Sequence, residues 1–113
     1  MDCLFCKIIA GEIPSKKVYD NDYVYAFYDI NPVAPVHVIV VPKHHIESVN
    51  DVNANNSEYV KYLFEAIPEI ASNLGIRDDG YRVITNIGEN GGQTIKHLHF
   101  HIIGGTKLGE KLI

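Results

Sequence analysis

Tryptophan is absent from this chain of 113 residues, methionine occurs once and cysteine twice. Two cysteines cannot staple a disulfide framework, so the fold must rest on an apolar core. A 46% hydrophobic content over this length suffices for one, which makes residues 1–113 a single domain in expectation. No apolar run approaches membrane-spanning length, and acidic Asp2 stands where a secretory leader carries basic residues. The ten Lys and Arg are scattered, with no run longer than Lys16-Lys17, against a net charge of −4. Nucleic-acid and anionic-membrane partners both call for a concentrated basic patch, and none is present. There is also no internal repeat, low-complexity tract or Pro/Ser-rich linker. The expectation is a cytoplasmic protein with neither a nucleic-acid nor a membrane partner.

The apolar pattern predicts an α+β domain. Leu4, Phe5, Ile8 and Ile9 recur at helical spacing before Gly11, which predicts a short helix over Cys3 to Ala10. Tyr23 to Tyr28 and Val36 to Val41 are aromatic or β-branched runs that stop at Asp29-Ile30-Asn31-Pro32 and at Pro42, and they read as strands. Val60, Leu63, Phe64, Ile67, Ile70, Ala71 and Leu74 step by threes and fours, so a long helix is predicted, capped by Ser57 and ended by Gly75. Pro68 inside it should remove a backbone hydrogen bond and bend it. Tyr81 to Ile87 and His97 to Ile103 read as two more strands around the loop Gly88 to Gly92. Four strands with short connections favour an antiparallel sheet with a helix on one face.

Chemistry concentrates in KHLHFHIIGG, which holds three of the six histidines at alternate positions. In a strand His97, His99 and His101 share one face, about 6.6 Å apart, while Leu98, Phe100 and Ile102 face the other way. Such a row can bind a metal, or it can present one neutral imidazole as a nucleophile between polar neighbours; a merely solvated face is the bland alternative. Gly91-Gly92 before the strand would let backbone N–H groups approach an anion, with Gln93 and Thr94 adding side-chain donors. Cys3 and Cys6 form a C-x-x-C. Two thiolates leave a tetrahedral site half complete, and a thioredoxin-like redox pair would need a strand before Cys3.

These residues carry a family resemblance. GQTIKHLHFHII matches the pattern His-φ-His-φ-His-φ-φ, with φ apolar, and resembles the histidine triad (HIT) superfamily of nucleotide hydrolases and transferases. FCKIIAGEIPSKKVYDND, AFYDINPVAPVHVIVVPKHHI and GYRVITNIGENGGQTIKHLHFHIIGG extend the likeness over nearly the whole chain and look like the Hint branch. The N-terminal Cys-containing segment, the AFYDINP turn and Gly104-Gly105 point away from the Fhit branch, which cleaves dinucleoside polyphosphates. The resemblance implies a HIT-like fold of about five antiparallel strands with one long helix and a short N-terminal helix. It implies a purine nucleoside phosphoramidase-like hydrolase that cleaves at the α-phosphate of nucleoside 5′-phosphate derivatives through a nucleotidyl-histidine. In that scheme His99 is the nucleophile, His101 contacts the phosphate oxygens, His37 is a further active-site histidine, and Thr94 stands near the leaving group. Asn86 and the Gly92, Gln93 and Thr94 loop hold the phosphate, Asp29 accepts the ribose hydroxyls, and Phe5, Ile8 and Ile30 line the base pocket. Cys3, Cys6, His45 and His97 form a structural zinc site, one ion per chain, with His44 as the lesser candidate beside His45. The resemblance further implies a homodimer, to which the helix aromatics Tyr59 and Tyr62 could contribute. The competing readings are a Fhit-like hydrolase, a module that binds nucleoside monophosphates without catalysis, and a zinc-storing His row.

Overall fold

The structure, a computed structural model, describes residues 3–111; Asp2 and the last two residues of the C-terminal segment lie outside them. Helix α1 spans Leu4–Ile9, strands β1, β2 and β3 span Lys17–Asp20, Val24–Tyr28 and Val36–Pro42, and a single 3₁₀ turn spans Val49–Asp51. Helix α2 spans Ser57–Asn73, followed by β4 at Arg82–Ile84 and β5 at Phe100–Gly104. The five strands form one antiparallel sheet in the order β1-β2-β3-β5-β4. This matches the α+β architecture with a long and a short helix. Strand β1 is the one that the apolar pattern missed: KVYD is four residues long and its register is broken between Lys17 and Tyr19, so it shows no sustained alternation.

Both faces of the sheet are covered, where the pattern predicted a helix on one. Val24, Ala26, Val38, Val40, Phe100 and Ile102 point to one side, and α2 lays Leu63, Ala66, Ile67, Ile70 and Ala71 on them. Tyr25, Phe27, Ile39 and Val41 point to the other, where α1 adds Phe5 and Ile8. Alternation along β2 and β3 produces the division, since neighbouring residues face opposite ways.

Helix α2 is capped one residue earlier than predicted. Asn56 is the N-cap and Ser57 the first helical residue. At the other end Gly75 adopts φ +74 and donates to Ser72, while Ile76 donates to Ala71, a Schellman closure that requires a left-handed residue there. The helix runs on through Pro68 to Asn73, although the ring removes the N–H that would have bonded the Phe64 carbonyl. Burial of five side chains against the sheet holds it together across that gap. Tyr59 and Tyr62 are partly buried: Tyr62 stacks on Tyr23 at 4.1 Å and Tyr59 on His44 at 4.3 Å.

Strand β5 begins at Phe100, so His97 and His99 precede it rather than sit within it. Its ladder with β3 stops at Val40↔Phe100. Beyond that point the Leu98 N–H turns to the Ile46 carbonyl at 2.6 Å, and the Pro42 carbonyl is taken by the His97 ring. The alternation nevertheless persists, with Leu98, Phe100 and Ile102 in the α2 core.

Candidate active site and metal centre

The three histidines of the row are held differently. His99 is buried, and its Nδ1–H donates to the His97 carbonyl at 2.7 Å, which leaves the Nε2 lone pair as its reactive edge. Burial lowers its pKa, so the ring is neutral near pH 7. A hydrogen bond from the Thr85 hydroxyl to the His99 carbonyl, 2.7 Å, fixes the backbone at this point.

His101 is oriented from behind. His37 lies two residue pairs along the β3–β5 ladder, opposite Ile103, and therefore reaches His101 diagonally on the same face. The backbone N–H of Val33 donates to His37 Nδ1 at 3.1 Å. The proton of neutral His37 is therefore on Nε2, which donates to His101 Nδ1 at 2.9 Å and lies 3.3 Å from an Asp29 carboxylate oxygen. His101 then carries its own proton on Nε2, the edge away from His37. Burial lowers its pKa, and the neighbouring His99 and His37 lower it further. Asp29 follows β2 directly. Its other oxygen accepts from the Asn31 N–H at 2.8 Å, an Asx turn that the DINP sequence encodes.

A cavity of about 510 Å³ gathers nine of the nucleotide-site residues that the sequence singled out, but neither His37 nor Gln93. Phe5, Ile8 and Ile30 line its apolar end, with Asp29 beside them, and Asn86, Gly92, Thr94, His99 and His101 line the rest. Ile30 is 92% exposed and thus projects over the cavity as a rim. A second cavity of about 720 Å³ continues past Asp29 and Ile30, and His37 lies on its wall.

The glycine-rich loop contributes fewer donors than its sequence suggests. The N–H groups of Gly92 and Gln93 bond the carbonyls of Glu89 and Gly88 within the loop, both at 3.0 Å. The Gln93 side chain is also committed: its amide donates to the carbonyls of Glu47 and Ile95, and its oxygen accepts from Gly88. Gln93 shapes the loop and does not line the cavity, which leaves Gly92 and Thr94 as the residues of this stretch that do. Asn86 donates to the Gly91 carbonyl at 2.8 Å. A Cβ on Gly91 would fall 2.3 Å from the Ile87 carbonyl oxygen, so no larger residue fits there without moving the loop.

On the far side of His99 the ligand atoms of Cys3, Cys6, His45 and His97 lie within 4.8 Å of one another. Cys3 Sγ is 3.3 Å and Cys6 Sγ 3.5 Å from His97 Nδ1; Cys6 Sγ is 3.3 Å and His97 Nδ1 is 3.1 Å from His45 Nδ1. A tetrahedron built on zinc bond lengths has edges of about 3.3 to 3.8 Å, and these four of its six edges stand close to that figure. The C-x-x-C geometry arises from a helix start: Cys3 is the N-cap of α1, and its sulfur accepts the Cys6 N–H at 3.3 Å. His97 donates from Nε2 to the Pro42 carbonyl at 2.9 Å, which turns its Nδ1 lone pair to the cluster, the outer hydrogen bond that a histidine ligand needs. Burial and then Cys3 push the Cys6 thiol up to about 11, and burial pushes His97 down to about 4. His44 is exposed and stacked on Tyr59, outside the cluster.

Comparisons with known proteins agree with this geometry. The family model "HIT domain" matches residues 10–108. The chain is 43% identical over 111 residues to the purine nucleoside phosphoramidase of Escherichia coli K12, covering 98% of this chain and 93% of that protein. It superposes on a HIT family hydrolase from Clostridium thermocellum with TM-score 0.96 and 46% identity, covering 99% of this chain and 97% of that one. A histidine triad protein from Clostridium difficile gives TM-score 0.94 at 50% identity, covering 98% and 96%.

Proposed function

The chain belongs to the HIT domain family, and from that premise we propose that it is a purine nucleoside phosphoramidase-like hydrolase acting through a covalent nucleotidyl-histidine. The observation that carries the reading is the one cavity lined by the apolar residues Phe5, Ile8 and Ile30, the carboxylate of Asp29 and the oriented His99 and His101. It has an apolar end for a flat base, an acceptor for ribose hydroxyls, and a nucleophile beside a donor for the phosphate. The relative from Escherichia coli, with that activity in its name, supports the substrate class.

The purine lies against Phe5, Ile8 and Ile30, and the two ribose hydroxyls donate to Asp29, an ionised acceptor meeting two donors. His99 Nε2 attacks the α-phosphorus. An N–P bond forms, the bond from phosphorus to the amine nitrogen or the carboxylate oxygen of the leaving group breaks, and the leaving group takes the bonding electron pair, an amine also taking up a proton from solvent. His101 Nε2–H, Thr94 and Asn86 donate to the phosphoryl oxygens where charge grows, and His37 keeps His101 in the donating tautomer. Water then attacks the nucleotidyl-His99, its oxygen bonding to phosphorus as the N–P bond breaks, which releases the nucleoside monophosphate, returns the lone pair to Nε2 and gives the water's proton back to solvent. Because Nδ1 stays bonded to the His97 carbonyl, His99 presents the same edge in both steps.

The cluster of Cys3, Cys6, His45 and His97 holds one zinc ion in a structural role. Four protein ligands close the coordination shell, so the ion fastens α1 to the segments that carry His45 and His97 and supplies no open position for a reactant. The protein works as a cytoplasmic homodimer. Phe64, 49% exposed on α2, and Val83 on the edge strand β4 give an interface apolar area to bury.

Removal of the nucleophile tests the reading: His99→Ala should lose turnover of adenosine 5′-phosphoramidate by at least roughly a thousandfold while still binding AMP. Retained turnover would contradict it, and tight nucleotide binding without turnover in the unaltered protein would favour a binding module instead.

A further inference from the structure

Helix α1 is shared by two sites. Cys3 and Cys6 at its start belong to the metal cluster, while Phe5 and Ile8 line the nucleotide cavity. The Phe5 ring lies between them in space as well. It makes T-shaped contacts with His97 at 5.9 Å and with His99 at 4.9 Å, and a third with Phe27 at 5.6 Å.

We propose that Phe5 is a positioning residue for His99, and that through it the metal at Cys3, Cys6, His45 and His97 and the nucleotide in the cavity bind cooperatively. The inference rests on the metal reading of that cluster. A helix of six residues does not hold itself, because the few hydrogen bonds it closes do not offset the ordering of its backbone. The position of α1 is therefore set at its ends and by its buried side chains. At its start, among the described residues, the two cysteines meet the rest of the cluster through contacts of sulfur with ring nitrogen, which a bound ion would replace with coordinate bonds. Fixing Cys3 and Cys6 fixes Phe5 between them in the chain.

His99 needs that support. Apart from the hydrogen bond to the His97 carbonyl, its ring is held by packing, and Phe5 stands closest among its aromatic neighbours, with His101 at 5.2 Å. A ring edge against the imidazole limits its rotation and keeps Nε2 aimed into the cavity. A base packed on Phe5 and Ile8 restrains α1 from the other side. Each ligand thus orders the helix that the other requires, so each strengthens the other, and by linkage the two factors are equal.

The test measures binding on the intact protein. Zinc retention against a graded chelator is followed with and without saturating AMP, and AMP affinity is measured by calorimetry on zinc-loaded and chelated protein. Both comparisons should give the same factor, roughly tenfold. Phe5→Leu should keep its zinc and its circular dichroism spectrum, bring the factor close to one, and lower kcat as well as raise KM. Zinc retention indifferent to AMP would overturn the inference while leaving the metal reading intact. A factor unchanged in Phe5→Leu would also overturn it, since that is the result if zinc loss merely unfolds the chain. So would an effect of Phe5→Leu confined to KM, which marks a residue that only lines the base pocket. Failure of the unaltered protein to bind zinc at all would overturn the metal reading and this inference together.

Discussion

The two faces of the sheet are made from the same strands and do opposite things. Under α2 every inward side chain of β2, β3 and β5 is apolar, and the surface packs against five side chains of one helix. Under α1 the apolar patch is smaller, and it borders three buried histidines, a buried cysteine and the carboxylate of Asp29. The α2 face supplies the stability that lets the α1 face keep polar groups out of water. Burial there is tolerable because the polar atoms are paired: no buried side-chain nitrogen or oxygen among the described residues lacks a hydrogen-bond partner.

Substitutions on the two faces should therefore separate activity from stability. The largest effect belongs to the α1 face: His99→Ala should remove turnover and leave the thermal midpoint within a few degrees, a contrast that calorimetry beside a phosphoramidate assay would show. Ile70→Ala on the α2 face should do the reverse. It empties a fully buried site and should cost about 2–5 kcal/mol in urea unfolding, with kcat per folded molecule unchanged.

Acid should act through the α1 face. The His97 pKa is lowered from 6.5 to about 4, so the neutral ring is the form that folding favours. Its stabilising contribution is complete above pH 6.5 and is lost as pH falls from 6.5 toward 4, because the unfolded chain takes up the proton first. Chelated protein should lose on the order of 3 kcal/mol over that window, read from urea midpoints at successive pH values. A flat profile would mean that His97 is not buried as neutral imidazole. The smallest effect separates two adjacent histidines. His44→Ala should leave zinc affinity unchanged and alter stability by less than about 1 kcal/mol, while His45→Ala should weaken zinc binding, measured by chelator competition.

The α2 face was the more legible in the sequence, because apolar periodicity reports packing directly: Leu63, Ile67 and Ile70 announced the helix, and Gly75 its end. The alternation of His97, His99 and His101 separated chemistry from core even though the strand starts only at Phe100. Two kinds of fact were not readable. One concerns segments defined by what they pack or pair with: β1 is a short, bulged strand recognised by its pairing with β2, and α1 covers the second face because Phe5 finds Phe27 and His99. The other is hydrogen-bond commitment. Gln93 reads as a phosphate donor in GGQT, yet its amide is used by the carbonyls of Glu47 and Ile95, and nothing local to the loop foretells Glu47. The tautomer of His37 likewise depends on the Val33 N–H, which only the turn after Asp29 brings within reach.

The central claim is that the buried, neutral His99 becomes covalently nucleotidylated. A single turnover of adenosine 5′-phosphoramidate, quenched in alkaline denaturant and followed by peptide mass spectrometry, tests it directly. The account predicts one adenylyl group on His99 at early times, absent from His97 and His101 and gone once substrate is consumed. Complete conversion of substrate with no modified His99 at any time point would contradict it.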